Sequence, residues 1–186
     1  MHRLIRPALT ALSIAVAAAS FASVTTDRAM AQQGGGAPTQ LKQIALTQKQ
    51  IDGAIAAQKD MDAITSKLQP NSKPDPKVLA QIDAVAKKNG FANTDEYYTV
   101  MDNISLVYGG IDPATKKYVG SEAVIKSQIA DVQADKKMSA NDKKQALDQL
   151  NEALKQPEPA VQNKGNIDLV LKNLDKLGAV MNEDQQ

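Results

Sequence analysis

The chain has 186 residues, a formal net charge of +1, no cysteine and no tryptophan, and only 3% aromatic residues. All its arginines (Arg3, Arg6, Arg28) and its single histidine, His2, precede residue 29; without them and Asp27 the remainder carries −1. From residue 29 onward there is no imidazole, thiol or guanidinium, which excludes from that stretch Ser-His-Asp and Cys-His catalysis, the usual zinc, haem and iron-sulfur ligand sets, disulfides, and bidentate phosphate or base recognition.

Residues 1–31 read as a secretory signal peptide. Arg3 and Arg6 form a basic start, Ala8 to Val24 an apolar run, and Ala29-Met30-Ala31 a small-x-small cleavage pattern that predicts release after Ala31. The run is alanine-rich and interrupted by Thr10, Ser13 and Ser20, which argues against an uncleaved membrane anchor. The expected destination is the periplasm or the medium. Residues 32–40 (QQGGGAPTQ) read as a flexible tether.

A helical domain is expected over 41–181. The first helix spans about Gln48 to Gln69, with Ile51, Ala54, Ile55, Met61, Ile64 and Leu68 recurring at threes and fours and Gly53 weakening it slightly. Asp75-Pro76 starts a second helix, and Gly90 stops it. Asn93-Thr94-Asp95-Glu96 is a capping box for a third, whose buried stripe is Tyr97, Val100, Met101, Ile104, Val107 and Tyr108. Residues 111–120 read as a loop. A fourth helix starts at Ser121. A fifth runs from the Ser139 cap to Gln156, with Ala146, Leu147, Leu150, Ala153 and Leu154 as its face. A sixth runs from the Asn166 cap through Ile167, Val170, Leu171, Leu174, Leu177 and Val180. Residues 182–186 form a frayed tail. The fold class is therefore all-α: a compact bundle of about six helices with short antiparallel connections.

Leu46-Thr47-Gln48-Lys49-Gln50 matches L-T-x-x-Q and resembles the motif of the Spy/CpxP family of periplasmic helical proteins, which implies an ATP-independent chaperone or envelope-stress regulator acting as a cradle-shaped dimer. The best candidate for a second copy, Met138 to Asp142, fits only as a degenerate cap. The same residues are accounted for by local structure: Thr47 as N-cap, Gln50 as its capping-box partner, and Leu46 stapled onto Ile51. The segments IAAQKDMD (55–62), KKNGFANTDEYY (87–98) and NIDLVLKNL (166–174) resemble small exported helical proteins of alphaproteobacteria, which implies export and a helical fold but no activity.

Phe91, Tyr97, Tyr98, Tyr108 and Tyr118 are the candidate ligand or partner surface, because a phenol joins a flat apolar face to a polar tip. Against this, Tyr97 and Tyr108 lie three turns apart on one helix face, a spacing that packs a core. Asp60 and Asp62, and Asp95 and Glu96, diverge around their helices rather than converging on an ion, and 112–120 lacks the spacing of a calcium loop. No nucleophile elbow, phosphate loop or metal cluster occurs. The expected protein is thus non-enzymatic, without cofactor or metal, with no membrane span after cleavage and no nucleic-acid partner. It is expected to be an envelope interaction module, stress-related or chaperone-like in its most specific form, that binds a protein partner or unfolded polypeptide. The alternative is a helical carrier of a small ligand in an aromatic-lined pocket.

Overall fold

A computed structural model of the chain describes residues 41–66, 75–155 and 158–181. The signal peptide, tether and tail expected from sequence, and the expected end of the first helix beyond residue 66, lie outside them. Helix α1 (Gln48–Thr65) begins at the capping box expected from sequence: Thr47 accepts from the Gln50 N–H, and the Gln50 side chain accepts from the Thr47 N–H at 3.0 Å. Leu46 and Ile51 both enter the core, as a staple requires. Helix α2 (Pro76–Lys88) starts on the Asp75 carboxylate, which accepts from the Lys77 N–H at 2.8 Å. It ends with Gly90 at φ 91°, the Phe91 N–H reaching the Ala86 carbonyl and the Gly90 N–H that of Lys87. That 6→1 and 5→2 pair is a Schellman ending, and it delivers Phe91 into the core beside Ala86.

Helix α3 (Thr94–Tyr108) is capped by Asn93, while Glu96 reaches back one residue further than a capping box would, to the Ala92 N–H. Tyr97, Val100, Ile104 and Val107 are buried on its inner face, and so is Asn103. The segment after it corrects the sequence reading. In place of a loop, β1 (Ile111–Asp112) and β2 (Lys117–Tyr118) pair antiparallel, Ile111 opposite Tyr118 and Asp112 opposite Lys117. The Asp112 carboxylate accepts from both the Thr115 N–H and hydroxyl, closing the turn locally.

Helices α4 (Ser121–Ala134) and α5 (Ala140–Lys155) follow, the second capped by Ser139, whose hydroxyl accepts from the Asp142 N–H. The expected sixth helix is broken in two, α6 (Gly165–Lys172) and α7 (Leu174–Met181). The break has a local cause. The Asn173 side-chain amide takes the Leu169 carbonyl at 2.8 Å, the acceptor its own backbone N–H would use in a continuous helix, and that N–H turns to Val170 instead.

The chain is the all-α bundle expected, seven helices in the described residues with almost no strand. Helix α1 packs on α2, α3 and α7, and α3 on α2 and α6. Their shared core includes Ile51, Met61, Ile82, Phe91, Val100, Ile104, Val170 and Leu177. The two remaining helices differ. α4 touches the body through β1, and α4 and α5 pack chiefly on each other. Helix α5 buries no residue: Ala146, Leu147, Leu150 and Leu154 are half-buried and Ala153 is exposed.

Candidate functional site

Two features carry polar or apolar groups in unusual positions: the base of the α4–α5 arm, and the segment 41–47 that precedes α1 and brings Leu46 into the core. The arm is a two-helix layer. Val124 and Val132 are buried in it, while Ile125, Ile129, Met138, Leu147, Leu150 and Leu154 stay partly open to water because no third layer of the described residues covers them. Its tip is fastened by polar groups. Asp135 accepts from the Lys137 N–H at 2.6 Å, and the Lys143 ammonium donates to the Gln133 and Asp135 carbonyls at the end of α4, where a cation offsets the helix dipole.

Where α4 joins the body, a cleft of about 370 Å³ opens between Leu106, Tyr118, Val119, Ser121, Lys126 and Pro159. Glu158 stands on its rim. As a residue it is exposed, but its carboxylate turns inward, with Oε2 3.5 Å from where a Cβ on Gly109 would lie, and it accepts from the Ser121 side chain. Partial burial pushes its pKa above the ordinary carboxylate value, and the Ser121 hydrogen bond offsets part of that. Tyr118 is raised for the same first reason, with the Glu158 charge adding to it. The Tyr118 ring lies so close to Gly110 that a Cβ there would meet it at 2.5 Å.

The five aromatic residues do not form one surface. Phe91 and Tyr97 are buried and meet edge to face at 5.4 Å, and Tyr97 meets Tyr98 in the same way. The Tyr97 hydroxyl donates to the Gln58 side chain at 3.1 Å. These three are packing between α1, α2 and α3. Tyr108 instead borders a second cleft, of about 280 Å³, with Ile111, Lys116, Leu174 and Asp175, and Tyr118 borders the first. Leu46, Thr47 and Gln50 serve as the helix start described above.

Sequence reasoning missed the buried asparagines Asn103 and Asn173 and misassigned Asn166, which is not the cap of the last helix: α6 starts at Gly165 after Lys164, and the Asn166 side chain is buried and turned to the segment before α1. Asn103 on α3 accepts from the Ile44 N–H at 3.0 Å and donates to the Lys42 carbonyl at 2.9 Å. Asn166 on α6 accepts from the Leu46 N–H at 2.8 Å and donates to the Ile44 carbonyl at 2.8 Å. Asn173 exchanges two hydrogen bonds with the Gln48 side chain. Asparagine is common at caps and turns, and nothing local distinguishes a cap from a buried amide. The available signal was position: Asn103 falls on the apolar stripe of its helix, between Val100 and Ile104.

Among the described residues no group of three acids could hold a metal ion, and no helix is long and apolar enough to cross a membrane. No family model, curated protein or solved structure matches the chain.

Proposed function

We propose that this is an exported, non-enzymatic interaction module of the cell envelope that engages a protein partner through the α4–α5 arm. The observation that supports it is the arm's single layer: a 16-residue helix with no buried residue and an aliphatic stripe left half in water. An aliphatic seam of this kind gains most when another surface closes over it. The secretory leader supports export, and the absence of imidazole, thiol and guanidinium from residue 29 onward supports a binding rather than a chemical role. The chaperone-like form has less support, because the large hydrophobic residues exposed among those described are Leu79 and Val119, which do not make a broad apolar cradle. The carrier reading loses its pocket wall, since Phe91 and Tyr97 are core.

A photo-crosslinking residue at Gln145 or Gln149 on the arm, and at Lys59 on α1 as control, tests the proposal in intact cells. A discrete adduct from the arm positions and none from Lys59 is expected. Equal labelling of arm and body, or no arm adduct, overturns it. Addition of the protein in excess to a heat-denatured client is expected to leave aggregation unchanged, and suppression near equal stoichiometry would restore the holding function.

A further inference from the structure

The segment before α1 is held almost as a ligand is held. Residues 42–46 belong to neither helix nor strand, and among the described residues no β-strand pairs with them. Their backbone groups are taken by side-chain amides: Asn103 reads the Lys42 carbonyl and Ile44 N–H on either side of Gln43, and Asn166 reads the Ile44 carbonyl and Leu46 N–H on either side of Ala45. A carbonyl and the N–H two residues on is the pair that one residue of a parallel neighbouring strand engages with its own N–H and C=O, so each asparagine stands in for one such residue. Two such amides in register form a ladder that reads backbone and not sequence.

Sequence enters through the side chains. Leu46 is buried in the core and Ile44 packs against it, while Lys42 and Ala45 are exposed. Gln43 makes the reciprocal contact: its amide donates to the Ala160 carbonyl and accepts from the Gln162 N–H, gripping the loop before α6 as the asparagines grip the strap. The groove therefore specifies an extended segment with an amide side chain, an aliphatic one, any residue, and a second aliphatic one. Main-chain hydrogen bonds for affinity with alternate pockets for selectivity is how sheet edges capture peptides.

We propose that the groove lined by Asn103, Asn166 and the 160–162 loop is a recognition site for an extended polypeptide segment of this pattern on a partner protein, and that residues 42–46 fill it in cis. The site is separate from the arm, so the two proposals stand or fall independently. Of the described residues, the strap is continuous only with α1, and its exchange for another segment requires Leu46 to leave the core and an equivalent aliphatic side chain to replace it. An incoming segment competes with a covalently attached occupant whose effective concentration is of the order of millimolar, so capture from solution is weak until the strap is loosened.

The probe is a synthetic peptide with the sequence of residues 41–47, added to the protein at several-fold excess over that effective concentration. Amide exchange at Ile44 and Leu46 of the protein is expected to accelerate at least about fivefold as the strap is displaced. The same peptide N-methylated at its Ile and second Leu nitrogens lacks the N–H groups that Asn103 and Asn166 accept, and it is expected to have no effect. Unchanged exchange with the parent peptide, or equal acceleration by the methylated one, overturns the proposal. Acceleration with protein concentration alone supports the site and makes a second copy's strap the partner. Ile44→Asp, which weakens the attached occupant, is expected to bind fluorescent peptide at least about tenfold more tightly than wild type. If that variant does not fold, the exchange measurement on wild type decides.

Discussion

Asn166 shows what one side chain can fasten. Its amide satisfies two backbone groups of the strap, and its replacement by alanine leaves the buried Leu46 N–H and the Ile44 carbonyl without partners. An unsatisfied buried group costs about 1–3 kcal/mol, so Asn166→Ala is expected to lose about 2–4 kcal/mol in urea unfolding. The glycines make a sharper contrast. Propensity alone says that Gly53→Ala in mid-helix should gain up to about 1 kcal/mol. A Cβ there, however, would sit 2.5 Å from the Asn89 carbonyl oxygen, which is backbone and cannot swing away. Overpacking of that kind costs about 1–3 kcal/mol, so Gly53→Ala is expected to destabilise and Gly165→Ala, whose Cβ meets nothing within 4 Å, to be neutral or better. Chemical denaturation of the two variants side by side checks both. The caps at Thr47, Asp75, Asn93 and Ser139 were legible from sequence because a cap is a contract between residues two to four apart. Gly53 was not, since the atom that forbids its side chain belongs to a residue 36 positions on.

Helices announce their inner faces by period, and those of α1 and α3 are where their spacing puts them, whereas Leu79, which the spacing of α2 turns inward, is exposed. Period does not announce depth. Leu147, Leu150 and Leu154 repeat as regularly as any core stripe, yet they reach only half-burial, because what covers a stripe is decided by elements elsewhere in the chain. The hairpin of β1 and β2 was missed for a related reason: two-residue strands are shorter than any alternation a pattern can register. The Asn173 break was hidden because the side chain that competes for the Leu169 carbonyl is itself anchored by Gln48, 125 residues away. A single layer of two helices also has consequences for motion. Amide hydrogens of the distal half of α4 and of α5 are expected to exchange faster than those of α1 and α3, by local opening that leaves the body folded. Lys143→Met frees the Gln133 and Asp135 carbonyls and is expected to raise arm exchange further while α1 and α3 are unchanged. Uniform exchange across both regions would contradict this division.

Across the whole molecule the acids pull stability in two directions with pH. Asp83 is lowered by its Lys87 partner and then by the Thr94 N–H, Asp112 by the Thr115 backbone and side chain, and Glu122 by Lys126. A carboxyl whose folded pKa is depressed stabilises above its unfolded value and loses that contribution as pH falls through the folded one. Glu158 runs the other way. Its folded pKa is raised, so its contribution is complete below the ordinary value and is lost as pH climbs through the raised one. Glu158→Gln keeps a partner for Ser121 without the charge, and is expected to flatten the part of the stability profile just above the ordinary glutamate value while leaving the acid limb intact. Urea midpoints taken from about pH 4 to about pH 7 test this, and an unaltered profile would remove Glu158 from the account.

The strap also sets an order of assembly. Leu46 is tied to Asn166, Gln43 to Gln162 and Gln48 to Asn173, across separations of 120, 119 and 125 residues. A polypeptide made from its N-terminus, or threaded through a channel in that direction, displays these early groups long before their partners exist. It cannot seal its interior until α6 and α7 have emerged. Contacts of such span make closure the slow, late event in folding. The molecule thereby carries a length check: a chain ended before Asn166 keeps the contacts among α1, α2 and α3 and the Asn103 bonds to the strap, but lacks every bond that α6 and α7 supply to close over them.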